Sequence, residues 1–184
     1  MTSSTNSTQI LTENINSVQD LLSCMASLNK SQFNACINAV DLSGCDFEPY
    51  GSWSDVHYTR NCLYCDEQYE VILLCWEKGQ FTPIHDHGGE ECWVKIISGS
   101  LEETIYKPND LGEPTLIKNS VAHAGHTTYM IDFMGCHRLK NVGNERAMSL
   151  HIYAKPISRC NIYDESELRY VPKDLVYHSI VEIK

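Results

Sequence analysis

The sequence predicts a mainly β protein, an antiparallel barrel or double-sheet jelly roll with short N-terminal helices packed outside it. Three observations carry that reading. From Tyr50 onward, short runs rich in β-branched and aromatic residues alternate with turn residues. The runs are many, short and evenly spaced, as in closed or doubled antiparallel sheets. Before Tyr50 the apolar residues recur instead at three and four, the period of a helix.

Taken in order, residues 1–15 are polar and expected to fray. Val18, Leu21, Leu22, Met25 and Leu28 then form an amphipathic helical stripe, with Ser17 and Asp20 spaced as an N-cap pair. Ser31 starts a second short helix carrying Phe33, Cys36, Ile37 and Val40, and Gly44 closes the region. The helical part thus covers 16–44 and the barrel about 50–184, together one domain over 16–184. The expected strands are Val56–Asn61, Tyr69–Trp76, Cys92–Ile97, Leu101–Tyr106, Thr115–Ile117, Thr128–Phe133, Cys136–Asn141 and Met148–Tyr153. Gly79, Gly88-Gly89, Gly99, Pro108–Asp110, Gly112, Gly125 and Gly143-Asn144 punctuate them.

Composition narrows the function. A chain of 184 residues with net charge -10 repels phosphate backbones and anionic lipid, which argues against nucleic acid or membrane as partners. No apolar run reaches membrane-spanning length and the polar start lacks a signal-peptide layout, so the expected location is the cytoplasm. The expected state is a monomer. Nine scattered cysteines fit reduced thiols better than a disulfide framework. Cys62 and Cys65 have CxxC spacing but no second ligand pair, and read as unrelated thiols. Cys24, Cys36, Cys45, Cys75 and Cys136 read as small buried apolar residues.

The chemistry centres on Ile84-His85-Asp86-His87. In an extended chain, residues two apart share a face, so His85 and His87 project together and Asp86 projects away. Two imidazoles converging from one segment are a ready pair of metal ligands. Glu91 has the spacing of an acidic ligand, but strand parity opposes it. Lys95 is expected to face water, and Glu91 shares its parity, so Cys92, Val94 and Ile96 would face the interior. That leaves a cysteine where a carboxylate would stand.

Gly79, His85-x-His87 and Gly99 together resemble the first motif of the cupins, and His137 through Asn141 after Gly135 resembles the second. The resemblance implies a cupin-type jelly-roll barrel and makes His137 a third metal ligand. Three neutral imidazoles leave a divalent ion its full charge, which favours an anionic substrate and a coordinating thiolate. Zinc binds imidazole as well as iron does.

One branch, the thiol dioxygenases, is matched more closely. Tyr58–Asn61, Leu74–Trp76, Ile84–His87, Cys92, His137-Arg138 and Ser149–Tyr153 resemble the eukaryotic-type cysteine dioxygenase family, in its order. The resemblance implies Fe(2+) held by His85, His87 and His137. It further implies a thioether crosslink between Cys92 and Tyr153, a substrate carboxylate held by Arg60 with Tyr58 nearby, and a Ser149–His151–Tyr153 relay. L-Cysteine and O2 would be the substrates and cysteine sulfinate the product, with His151 orienting and Tyr153 donating a hydrogen bond at the site. Trp76 would pack behind the site and Tyr129 would line the barrel. Cys160 matches a family cysteine near the mouth, and Lys155 stands where animal members carry a proline. Two other readings stay open: a dioxygenase of another small thiol such as 3-mercaptopropionate, and a cupin that binds metal without redox chemistry. The family's role for Arg60 favours an amino-acid carboxylate, because a guanidinium fork binds one bidentately.

Overall fold

The computed structural model describes residues 15–181. The stretch expected to fray lies outside the described residues except for Ile15, which is buried. Helix α1 (Val18–Ala26) starts as expected: the Ser17 hydroxyl accepts the Asp20 amide at 3.1 Å. Helix α2 (Lys30–Ala39) starts earlier than Ser31, because Asn29 and Gln32 cap each other reciprocally. Its buried face is Phe33, Cys36 and Ile37.

The strands are β1 (Thr59–Cys65), β2 (Glu70–Trp76), β3 (Cys92–Ser98), β4 (Ser100–Pro108), β5 (Pro114–His123), β6 (Thr127–Met130), β7 (Cys136–Asn141), β8 (Ala147–Tyr153), β9 (Arg159–Asp164), β10 (Arg169–Asp174) and β11 (Ser179–Ile180). One sheet has the order β11-β1-β2-β8-β3-β6, antiparallel except for β1 with β11. The other has β5-β4-β7, and an extended segment, residues 81–86, joins β7 to the β9-β10 hairpin. This is the expected jelly roll.

Alternation decides what each face buries. Ile72, Leu74, Trp76, Cys92, Val94 and Ile96 point inward against Leu101, Ala122 and Leu139 of the second sheet. Val71, Leu73, Trp93, Leu150 and Ile152 point outward, where α1 and α2 cover them. Both faces of the larger sheet are therefore dry, and β2 and β8 read as nearly continuous apolar runs.

That second layer corrects one expectation. Lys95 does not face water: it is 3% exposed, and its Nζ donates to the Ile37 carbonyl at 3.0 Å. The outer face lies under α2, whose last-turn carbonyls need donors that the helix itself cannot supply. The parity inference survives, since it needs only that Lys95 and Cys92 lie on opposite faces. Tyr129 is a second correction. It packs on Trp93 on the outer face and does not line the barrel.

Three strands also differ in their bounds by more than two residues. β1 begins at Thr59, not Val56, because Val56 is 86% exposed and the ladder to β2 runs on through Cys65. The strand expected to reach Phe133 stops at Met130, where Asp132–Met134 form a short 3-10 turn. β5 extends to ten residues, well past Ile117. Strands β9 to β11 were not expected, and Pro172 within β10 argues against a strand by sequence. It is tolerated because β10 lies at a sheet edge. All nine cysteines are free; Cys24, Cys36, Cys45 and Cys75 are buried, whereas Cys136 is only half-buried.

Candidate active site

The segment 81–86 is held extended by backbone hydrogen bonds on both sides. Thr82 donates to Leu139, Tyr163 to Ile84, and His85 and His137 exchange both bonds at 2.9 Å. That exchange sets two imidazoles side by side, their ring centroids 4.7 Å apart. Asp86 projects the other way, its carboxylate accepting both the backbone and side-chain amides of Asn161 at 2.8 and 2.7 Å. The following turn is tied to Asp132, whose carboxylate takes the amides of His87 and Gly89. Before His137 stands Gly135, at φ 123°, where a Cβ would lie 2.1 Å from the Tyr106 carbonyl.

His85, His87 and His137 converge, with one ligand nitrogen from each lying within 4.8 Å of the others. Glu91 is elsewhere, accepting from the Tyr129 hydroxyl at 2.7 Å and pairing with Lys30 at 2.6 Å. The inward position beside it belongs to Cys92, as parity requires.

The donor set fits a divalent metal. His137 Nε2 and His87 Nδ1 are buried without a protein partner, a costly arrangement unless something accepts their lone pairs. His137 Nδ1 meets the buried Glu103 carboxylate at 2.8 Å, and His85 Nδ1 meets the Pro83 carbonyl at 3.0 Å. Each acceptor places the ring proton on Nδ1 and turns the Nε2 lone pair free. Burial, and then His137, press His85 down to about 3, and burial holds His87 well below its ordinary value. Both rings are neutral, the ligating form.

Beside His85 lies a cavity of about 300 Å³ walled by Tyr58, Arg60, His85, His151, Tyr153 and Cys160 among others. Arg60 enters it from β1 and is 7% exposed, with Nε and Nη2 lacking any protein partner. Burial opposes its charge, yet the guanidinium is held above its ordinary value and stays charged. Tyr58 stacks on Trp76 at 4.9 Å, and the Trp76 indole donates to the Ser149 hydroxyl at 3.0 Å. Ser149 in turn lies 2.9 Å from His151 Nε2. The hydroxyl has two lone pairs and one hydrogen, so it accepts from the indole and shares one further hydrogen with His151, from Ser149 Oγ or from His151 Nε2 according to the ring's tautomer. Burial and Arg60 keep His151 far below its ordinary value, so the ring is neutral. The next step to Tyr153 is a ring stack, 6.5 Å between centroids.

Cys92 and Tyr153 oppose each other across β3 and β8. Burial raises both groups, the Tyr153 phenol well above its ordinary range. The Cys160 thiol is pushed up to about 11, again by burial.

A family model, cysteine dioxygenase type I, matches residues 1–166. The chain belongs to the cysteine dioxygenase type I family. Membership makes it an enzyme of the cysteine dioxygenase class. Cysteine dioxygenase type 1 of Bos taurus is 28% identical over 161 residues, covering 85% of this chain and 80% of its own. The Danio rerio relative is 30% identical over 146 residues, covering 76% and 72%. A solved structure from Thermus thermophilus superposes with a TM-score of 0.50 at 14% identity, covering 60% of this chain and 94% of that one. That likeness speaks to the fold alone.

Four groups at the site were not anticipated from the sequence: Glu103, Asp132, His178 and the Glu70–Tyr177 pair. Glu103 carried a signal. It shares strand parity with Leu101 and Ile105, so it points inward between apolar neighbours. Asp132 and His178 lie on irregular segments where parity is silent.

Proposed function

We propose that this chain oxidises the thiol of L-cysteine with dioxygen to cysteine sulfinate, at iron(II) held by His85, His87 and His137. The observation that carries the reading is Arg60: a buried, charged fork with two unpartnered nitrogens, in the cavity that His85 of the histidine cluster also lines. A cationic fork with Nε and Nη2 unpartnered, beside an all-imidazole metal site, calls for a small anion bearing both a carboxylate and a thiolate. Iron(II), when bound, supplies the redox chemistry and positions for thiolate and dioxygen.

The chain's own residues do the rest. Arg60 binds the carboxylate, with Tyr58 against Trp76 forming the wall beside it. Ser149, itself held by Trp76, orients the His151 ring, and His151 and Tyr153 present ring faces and a hydroxyl to the substrate. The hydroxyl of Tyr153 is protonated and is the hydrogen-bond donor at the site. Both oxygen atoms end on sulfur, so RSH and O2 account for RSO2H without another reductant. Membership in the family supports the substrate and the metal, and the net charge of -10 supports a small-molecule substrate over nucleic acid or a membrane surface. Among the described residues, no helix is long and apolar enough to cross a membrane.

Iron-loaded protein supplied with L-cysteine in air is expected to consume oxygen and form sulfinate. Full iron occupancy without sulfinate would reject the proposal. 3-Mercaptopropionate oxidised faster than L-cysteine would shift the substrate to a thiol lacking the amine. Arg60→Gln should raise KM for L-cysteine more than for mercaptopropionate, and equal losses on both would count against amino-acid recognition by Arg60.

A further inference from the structure

The Arg60 side chain works only if its backbone is held at the right height in the cavity wall, and the local ladder leaves that backbone open. Arg60 pairs with Leu74 of β2, yet its amide and carbonyl both turn away from β2. They point toward the C-terminal segment that leads into β11. A buried strand carrying an unmet amide there would be unstable.

His178 answers both groups. The Arg60 amide donates to His178 Nδ1 at 2.9 Å, and the His178 amide donates to the Arg60 carbonyl at 2.8 Å. A side-chain nitrogen thus stands where a parallel neighbour would present a backbone carbonyl. The same ring lines the cavity that Arg60 enters, and it leans on His57 with centroids 4.8 Å apart. Flanking contacts fasten the segment to β1. The Ser179 hydroxyl donates to the Asn61 side chain at 2.7 Å, and the Val181 amide to the Cys62 carbonyl at 2.9 Å. The Tyr177 hydroxyl reaches the buried Glu70 carboxylate.

We propose that His178 is a positioning residue for Arg60: its Nδ1 and its amide grip the Arg60 backbone, and so set where the guanidinium meets the substrate carboxylate. The inference rests on the reading of Arg60 as the carboxylate-binding residue. It makes the segment before β11 part of the substrate-binding machinery, acting through Arg60 and not on the reacting atoms.

The geometry names its own controls. Asparagine places an oxygen where histidine has Nδ1 and can accept the same amide. Glutamine places its polar end near the Nε2 position and cannot. In iron-loaded full-length protein, His178→Gln and His178→Ala should raise KM for L-cysteine about three- to tenfold, the scale of one hydrogen bond, with kcat much less affected. His178→Asn should stay close to wild type. Hydrogen exchange of the metal-free protein gives a readout independent of turnover: the Arg60 amide should exchange faster in the Gln and Ala variants and remain protected in Asn. If His178→Ala does not fold, the Asn–Gln comparison decides alone.

Gln and Asn variants alike in KM and in Arg60 protection would overturn the proposal. So would a loss confined to kcat. Arg60→Gln is run beside them. If it leaves KM for L-cysteine unchanged, the carboxylate reading fails. If it raises KM while His178→Gln does not, only the positioning role fails.

Discussion

Cys92 of β3 and Tyr153 of β8 stand directly opposite each other in the ladder, both buried on the inward face beside the histidine cluster. Cross-strand partners have Cβ atoms about 4.5–5.5 Å apart, close enough for a thiol to meet the edge of a facing phenol ring. Joining sulfur to a ring carbon removes the thiol hydrogen and one ring hydrogen, with two electrons passing to dioxygen. Intact-mass spectra of protein aged with iron, L-cysteine and air should therefore show a subpopulation lighter by two hydrogens. Cys92→Ala should lack it. Identical uncrosslinked spectra for both proteins would sink the pairing.

Glu103 holds the His137 ring by its Nδ1 at 2.8 Å, with both side chains almost fully buried. Loss of such an outer partner usually lowers metal affinity about 10–100-fold. Glu103→Ala should therefore release iron to a competing chelator at correspondingly lower chelator concentration, and Glu103→Gln should show an intermediate loss because its amide oxygen still accepts. Unchanged competition curves for the Ala variant would show that backbone packing alone orients His137.

Glu70 is fully buried, and burial raises its pKa against the opposing influence of the Tyr177 hydroxyl and Arg60. A carboxyl raised in the fold contributes its stability below the unfolded value of about 4.5, and that contribution is lost as pH rises through the folded value. Glu70→Gln stays neutral throughout. The melting temperature of Glu70→Gln relative to wild type should thus climb as pH increases from 4.5 upward. A difference that is flat with pH, or that narrows, would mean that the ionised carboxylate is fully compensated where it sits.

What the sequence disclosed follows from where periodicity holds. His85 and His87 were legible because an extended segment alternates, and Cys92 was assigned inward by parity even though Lys95 was placed in water. Alternation says which residues share a face, but not what covers the face. The cover was α2, a helix distant in sequence from β3. Ser149, His151 and Tyr153 were legible as one strand face, whereas the link from Trp76 to Ser149 crosses between β2 and β8 and needed the register. His178 and Asp132 act from irregular chain through hydrogen bonds that no spacing encodes. Pro172 concealed β10 because a proline is informative only once it is known whether its strand lies at an edge.

Lys95 supplies the last expectation. Its Nζ gives the Ile37 carbonyl a charged donor in the final turn of α2, where the Thr127 hydroxyl approaches only to 3.4 Å. Burial lowers the Lys95 pKa, so keeping the charge there costs something, and Asp41 and Cys36 offset part of it. Lys95→Met keeps the length and apolar stem while removing the donor. It should lower unfolding free energy by about 1–3 kcal/mol, the cost of leaving a buried carbonyl short of a partner. The loss should appear as an earlier urea midpoint with little change in the slope of the transition. A Met variant as stable as wild type would show that the Ile37 carbonyl is satisfied without the amine, and that Lys95 is buried only for its carbon stem.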